Sequence, residues 1–467
     1  MEPYDVIVIG AGFAGLTTAR ELSTAGHQVL VLEARDRIGG RTWTDNRFGH
    51  ELEMGANWVH WCQPHVWAEL SRYGFTVESS DRAVEAWWHD ADGTPKQGTL
   101  QQFMDLITPG QAAIVADVAR VMPRGFNPLY TRGASDSGDA IADILEIDQL
   151  SLQQRIDSLD LEPEAKRANE AVWVGHANAP LDRVALSSAL RWVAACGGHW
   201  ELMHEASATY RIKGGTRALA SAISADIRGE IRLGVRAERI IQPSLARVSN
   251  ASASDRPAGS VADSCADPQL VTVECSDGAV VEGRYVVSTL PVNAIREISF
   301  DPPLPAAWVR QNQERVASQG VKVWIKAAGH LPRFFAYAHQ YHPISVLKAE
   351  FYGKDETGDY SLLVGFGSDH GAIAGIDFMQ LQEIVDQLRP GIKVLDYTLH
   401  DWMGDELSQS TWLINKPGQL SRDLEELQQS FGLVRFATTD NANLWGGFID
   451  GAIESGLREA TRLRKML

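Results

Sequence analysis

Three glycines and a carboxylate near the start of the chain have the types and spacing that hold a dinucleotide. Gly10, Gly12 and Gly15 come first, and Glu33 stands about 20 residues beyond them. Gly10 permits a tight turn, Gly12 lets backbone approach a pyrophosphate, and Gly15 lets a helix pack close on a strand. Glu33 is placed to accept hydrogen bonds from an adenosine ribose. Such chemistry needs elements to position it, and the flanking residues predict them. Val6 to Ile9 is a β-branched apolar run, which reads as a strand buried on both faces. A helix pattern opens at Leu16, so a positive dipole end faces the phosphates. A second strand, Val29 to Leu32, ends in Glu33.

The stretch from Glu33 to Thr42, EARDRIGGRT, continues directly from the acid and resembles the extended fingerprint of FAD-dependent amine oxidases. A second glycine turn with Arg35, Gly40, Arg41 and Thr42 suits a second wall around the long flavin pyrophosphate, so the dinucleotide is read as FAD. Phe436 to Gly456 is similar to the flavin-binding end of the same family. Gly214–Gly215, Ser288 to Pro291 and Asp401–Trp402 add three more matching segments, so the resemblance covers essentially the whole chain.

The resemblance implies an α/β fold. A Rossmann-like FAD-binding domain (1–80, 205–291 and 409–467) is interleaved with an α+β substrate-binding domain (81–204 and 292–408). It also implies site roles. Asp440 meets the ribityl chain, Trp445 borders the isoalloxazine, and the helix from Ile449 points its N-terminus at the flavin pyrimidine edge, where it stabilises negative charge. Trp412 and Phe448 form an aromatic cage that favours a neutral amine; the alternative for each is plain core packing. Lys322 holds a water near flavin N5, with Lys326 next if the strand register shifts; a solvated strand lysine is the alternative. Asn57, Trp58, Ala237 and Trp402 complete the cofactor-binding set. His60 either binds a polar substrate group, tunes amine protonation, or is an ordinary hydrogen-bonded histidine. Thr411 occupies the position where some relatives attach flavin through cysteine, so noncovalent FAD is expected. Thr438 departs from the usual glycine.

Together these readings predict an FAD-dependent oxidase of a primary or secondary amine, with dioxygen as acceptor. An L-amino acid oxidase is disfavoured because Ala56 follows Gly55 where those enzymes usually carry an arginine. A natural-product amine or amide oxidase stays open, as does a flavoprotein that only binds. His60 and His65 do not make a metal site by spacing.

Composition bounds the rest. The 467 residues are 44% hydrophobic, enough for two or three domains. A net charge of -17 argues against nucleic-acid and anionic-membrane partners. The first strand begins within about five residues, with neither a charged n-region nor an apolar h-region, so no signal peptide is expected. No window offers the ~20 apolar residues of a membrane span. The four cysteines are dispersed and lack a C-x-x-C, which suits a reduced cytoplasmic protein. A homodimer is left open.

Beyond the fingerprint, amphipathic patterns predict helices at 66–73, 111–121, 137–147, 152–157 and 218–227. Strands are expected at 230–240, 271–275, 279–281, 285–291, 321–325 and 360–365. Residues 81–204 read as mainly helical, and 244–268 as an exposed loop rich in Ser, Ala and Asp.

Overall fold

The computed structural model describes residues 2–80, 82–123, 138–243, 269–356 and 358–467. The 244–268 segment expected to form a loop lies outside them. Two large sheets organise the chain. The first has eight strands, in the order Ser299–Asp301, Ala237–Ile241, Val271–Cys275, Val280–Ser288, Tyr4–Ile9, Val29–Glu33 and Glu230–Leu233, with Val434–Phe436 also paired to Val280–Ser288. Tyr4–Ile9 runs parallel to both of its neighbours, and Val29–Glu33 runs parallel to Glu230–Leu233.

The alternation of side chains explains why these strands are apolar throughout. Val6, Val8, Val29 and Val31 enter one core, which holds the first helix, Phe13–Thr24, and the last, Ile449–Leu463. Ile7, Ile9, Leu30 and Leu32 enter another core on the opposite face. Within the first core, Thr18 Oγ1 donates to Gly456 O at 3.3 Å. A Cβ on Gly456 would lie 2.5 Å from Ala14 O, so glycine is required there for the two helices to approach.

The second sheet has seven strands, ordered Val394–Leu399, Val321–Ala328, Gly358–Gly367, Val346–Asp355, Phe334–Tyr337, Glu85–His89 and Pro95–Gly98. A helical layer containing Pro163–Ala177, Leu186–Ala195 and Trp200–Ala208 packs into the largest core cluster.

Several expectations need correction: the helix expected at 111–121 is the end of Leu100–Ile114 and a separate turn, Val118–Val121, and the strands expected at 279–281 and 285–291 are one strand, Val280–Ser288. Glu85–His89 and Pro95–Gly98 are strands of the second sheet, inside a span read as mainly helical. The strand expected at 230–240 is two strands separated around Gly234, whose φ of 72° turns the chain. Residues 292–316, assigned to the substrate domain, instead pack on the first sheet. Ser299–Asp301 pairs with Ala237–Ile241 there, and Ile295, Ala307, Trp308 and Val316 join its core. Among the described residues, no helix is long and apolar enough to cross a membrane.

Candidate active site

The first strand leads into the glycine turn. Gly10 adopts φ 100° and donates its N–H to Leu32 O at 2.8 Å. Gly15 lies over that turn; a Cβ on it would stand 1.9 Å from Gly10 O. Gly12 is different: its nearest neighbour to an added Cβ is Gly40 Cα at 3.8 Å. That side of Gly12 faces a long cavity, which encloses about 1420 Å³ including its open mouth.

Glu33 lines the cavity. Its two carboxylate oxygens accept from Ala11 N–H at 2.7 Å and Arg35 N–H at 2.8 Å. The carboxylate thus ties the glycine turn to the following loop and keeps lone pairs for a ligand. Ala237 borders the cavity from the strand beyond. Glu33→Ala is expected to weaken FAD binding by about 1.5–3 kcal/mol, through loss of a charge-assisted acceptor. Titration of apoprotein with FAD measures this, and an unchanged affinity would take Glu33 out of the site.

The Arg35–Thr42 loop forms a second wall. Arg35 pairs with Asp405 at 2.9 Å and donates to Ser408 Oγ at 3.0 Å. Arg41 donates to Asp440 at 2.9 Å and to Thr411 O at 3.2 Å, joining the N-terminal and C-terminal motifs. Asp440 itself is buried off the cavity wall, and its other oxygen accepts the Val292 N–H at 2.9 Å. Its carboxylate therefore positions Arg41 and the 292 loop. Thr42 and Gly40 line the same wall, with Thr42 Oγ1 donating to Gly39 O at 3.0 Å. Trp402 closes it; its indole N–H donates to Met54 O at 2.9 Å.

Part of the wall is aromatic. Trp412 and Phe448 both line the cavity. The Trp412 indole N–H donates to His176 O at 3.0 Å, which fixes the ring. Phe448 sits edge-to-face with Trp192 and Trp445, at centroid distances of 5.2 and 4.9 Å. Lys322 reaches the cavity from the second sheet and donates to Gly55 O at 2.9 Å. The rings of Trp58 and Trp324 each lie 5.4 Å from its Nζ. Burial pulls its pKa from 10.5 down to about 8. Lys326 instead pairs with Asp355 and is absent from the cavity wall.

The lowered Lys322 pKa has a definite sign. Between about pH 8 and the ordinary lysine range, the unfolded chain binds a proton that the native amine has lost. Lys322 therefore makes the fold more stable as pH rises through that window. Lys322→Met should flatten this part of the melting temperature against pH relative to the parent. Parallel slopes for the two proteins would contradict a buried, readily deprotonated amine.

Not every expected residue reaches the cavity. Asn57 is buried away from its wall, and Trp58 stands behind Lys322. His60 is fully buried, with Nδ1 3.0 Å from Cys62 Sγ and Nε2 3.4 Å from Glu205; it does not line the cavity. A role for His60 in touching substrate is thereby corrected. Among the described residues, no cluster of three or more His, Cys, Asp or Glu could hold a metal ion.

Two residues escaped the sequence reading. A Cβ on Gly55 would lie 2.0 Å from Arg41 O and 3.0 Å from the Trp402 ring, so only glycine lets those walls meet. Thr439 Oγ1 accepts the Gly447 N–H at 2.9 Å and donates to Phe448 O at 2.8 Å, shaping the turn that presents Phe448. In sequence Gly55 stands out only as the residue before Ala56, because its partners come from distant segments.

The cavity suits a long anionic cofactor on several counts. The first and last helices both begin at it, at Gly12 and Phe448, and neither has a side-chain cap. Asp450, in the first turn of the last helix, instead accepts the His65 and Val66 N–H groups at 2.6 and 2.9 Å. Ile449 borders the cavity at that helix end. Thr411 Oγ1, on the wall, is buried without a hydrogen-bond partner.

The chain belongs to the flavin-containing amine oxidoreductase family, whose sequence profile matches residues 13–464. It is therefore a flavin-dependent oxidoreductase of amines with the amine oxidase fold. It is 30% identical to a nicotine dehydrogenase of Pseudomonas putida, covering 99% of this chain and 89% of that protein. Identity to a putrescine oxidase of Kocuria rosea is 26%, covering 97% and 93% of the two chains. A solved putrescine oxidase superposes with a TM-score of 0.78 at 21% identity over 99% of each chain. Cyclohexylamine oxidase from Brevibacterium oxydans gives 0.74 at 20% identity, over 100% of this chain and 99% of that one.

Proposed function

We propose that this protein is a cytoplasmic oxidase that binds FAD without a covalent bond and oxidises a primary or secondary amine lacking a carboxylate. The carrying observation is the single cavity that runs from Glu33, past two uncapped helix ends, to Trp412, Phe448 and Lys322. When bound there, FAD would supply a hydride acceptor at N5 for the amine α-carbon and pass the electrons to dioxygen, leaving an imine, then a carbonyl, and hydrogen peroxide. The protein's own groups bind, orient and exclude water. Glu33 and Gly12 hold the nucleotide end, Arg41 fixes the middle wall, and Trp412 and Phe448 give an apolar slot that favours the neutral amine and aligns its C–H bond. No general base is assigned, because a free amine needs none.

The arginines of the cavity support an amine over an amino acid. Arg35, Arg41 and Arg236 are paired with Asp405, Asp440 and Glu297, so among the described residues no cavity arginine is left for a substrate carboxylate. Anaerobic mixing with a panel of amines and amino acids should bleach the flavin with amines alone. Bleaching only by amino acids would overturn this reading. Peroxide release on admitting air tests dioxygen as acceptor, a needed arm because two relatives are named dehydrogenases.

Noncovalent attachment has its own check. Thr411 offers no thiol where some relatives bond the flavin. Acid precipitation should release intact FAD into the supernatant; flavin left on the denatured polypeptide would refute the claim.

A further inference from the structure

His60 has no part in the proposed reaction, yet it is fully buried against a thiol. That thiol, Cys62, lies 3.7 Å sulfur to sulfur from Cys196, which is 134 residues away in sequence. Cysteines that look dispersed along the chain are thus neighbours in space, and both are free. Cys62 precedes the helix Pro64–Tyr73, while Cys196 caps the C-terminus of Leu186–Ala195. We infer that Cys62 and Cys196 form a redox-active dithiol that hydrogen peroxide oxidises to a disulfide.

The local hydrogen bonds give the two sulfurs different parts. The Cys62 N–H donates to His60 Nδ1 at 3.2 Å, so Nδ1 is the acceptor nitrogen of the ring. The same nitrogen stands 3.0 Å from Cys62 Sγ, where it can take the thiol proton. The other ring nitrogen, Nε2, faces Glu205 Oε1 at 3.4 Å. The hydrogen bond with Cys196, and then that with His60, pull the Cys62 thiol below its ordinary pKa, and the same pairing together with burial pushes Cys196 up. Cys62, which is also the more exposed of the pair, is therefore the attacking thiolate.

The chemistry balances. The Cys62 thiolate attacks one peroxide oxygen, the O–O bond breaks, and hydroxide leaves and takes a proton from the His60 ring as water. Cys62 is then a sulfenic acid. The Cys196 sulfur attacks Cys62 Sγ, the S–O bond breaks, and the departing hydroxyl takes the Cys196 proton as a second water. Two thiols and one peroxide give one disulfide and two waters. The sulfurs need to approach by about 1.7 Å to reach bonding distance.

Peroxide is also the product expected under the proposed function, so turnover would load this site. The test uses added peroxide and holoenzyme without amine, so failure of the dithiol and failure of the amine-oxidase reading are distinguishable. After a few equivalents of peroxide, denatured protein should titrate two thiols instead of the four in the sequence. Its intact mass should fall by about 2 Da. A non-reducing peptide map should join the Cys62 and Cys196 peptides, and dithiothreitol should reverse all three changes. Cys196→Ser should leave a Cys62 sulfenic acid that dimedone traps, and Cys62→Ser should abolish the cross-link. Survival of all four thiols, oxygen added at Cys62 without a link in the parent, or a bridge to Cys275 would each overturn the inference. The parent map decides even if a variant does not fold.

Discussion

Trp412→Ala is expected to slow reduction of bound flavin by amine tens- to hundreds-fold, because orientation terms of a few kcal/mol have effects of that size. The ring is at once a cavity wall and a packed side chain. It faces the cavity with Phe448, donates to His176 O at 3.0 Å, and approaches Phe366 edge-on at 6.4 Å. Truncation therefore costs some stability as well, but less than the about 3–5 kcal/mol typical of a fully buried tryptophan. Trp412→Phe restores an aromatic wall without the indole N–H, and it should recover most of the rate. Rapid anaerobic mixing beside a thermal melt separates the two parts. If Trp412→Ala melts early while its folded fraction reduces flavin at the parental rate, Trp412 is core and not cage.

A methyl group on Gly15 should be more disruptive than its size suggests. In an ordinary helix interior, alanine for glycine is worth about 1 kcal/mol of stability. Here the added Cβ would fall 1.9 Å from Gly10 O and 3.3 Å from Val8 Cγ1, so the helix must move off the strand. Overpacking of this kind typically costs about 1–3 kcal/mol. The displacement also carries the Gly12 end of the helix away from the phosphate subsite. Gly15→Ala is expected to lose at least about tenfold in FAD affinity, equivalent to 1.4 kcal/mol. The flavin-to-protein absorbance ratio and a melt report both effects. Full cofactor loading with an unchanged melting temperature would show that the close approach is not needed.

The parts of this molecule that were legible in sequence are those whose cause is local. Val6 to Ile9 and Val29 to Leu32 are apolar at every position because both faces are buried, and that can be read without a structure. The strands expected at 271–275 and 279–281 were legible too; Val271–Cys275 and Val280–Ser288 pair across a turn with Gly278 at φ 81°. Glu85–His89 pairs locally with Pro95–Gly98, but that hairpin joins the second sheet only through Phe334–Tyr337, some 250 residues away. The expected strand at 230–240 failed because Gly234 sends its two halves to different neighbours, Val29–Glu33 and Val271–Cys275. In the candidate site, family resemblance placed Trp412, Phe448 and Lys322 near one another. It also placed His60 on the substrate cavity, where burial under Trp61 and Tyr210 puts it elsewhere. The proximity of Cys62 to Cys196 was invisible for a related reason: no local pattern encodes a contact between a loop and a distant helix end.

The Arg41–Asp440 pair joins residues 399 positions apart, and the first helix packs against the last. On the ribosome this has a consequence for timing. The glycine turn and Glu33 emerge some 400 residues before the wall that Arg41 leans on and the Phe448 helix end. At roughly 5–20 residues per second, the N-terminal fingerprint waits tens of seconds for its other half. Its strand lacks a neighbour until Val280–Ser288 follows, and throughout the interval its helix has no partner for the face that will receive Gly456. Cofactor capture therefore has to follow synthesis of the Phe448 helix end, and the fingerprint stays half-built until then.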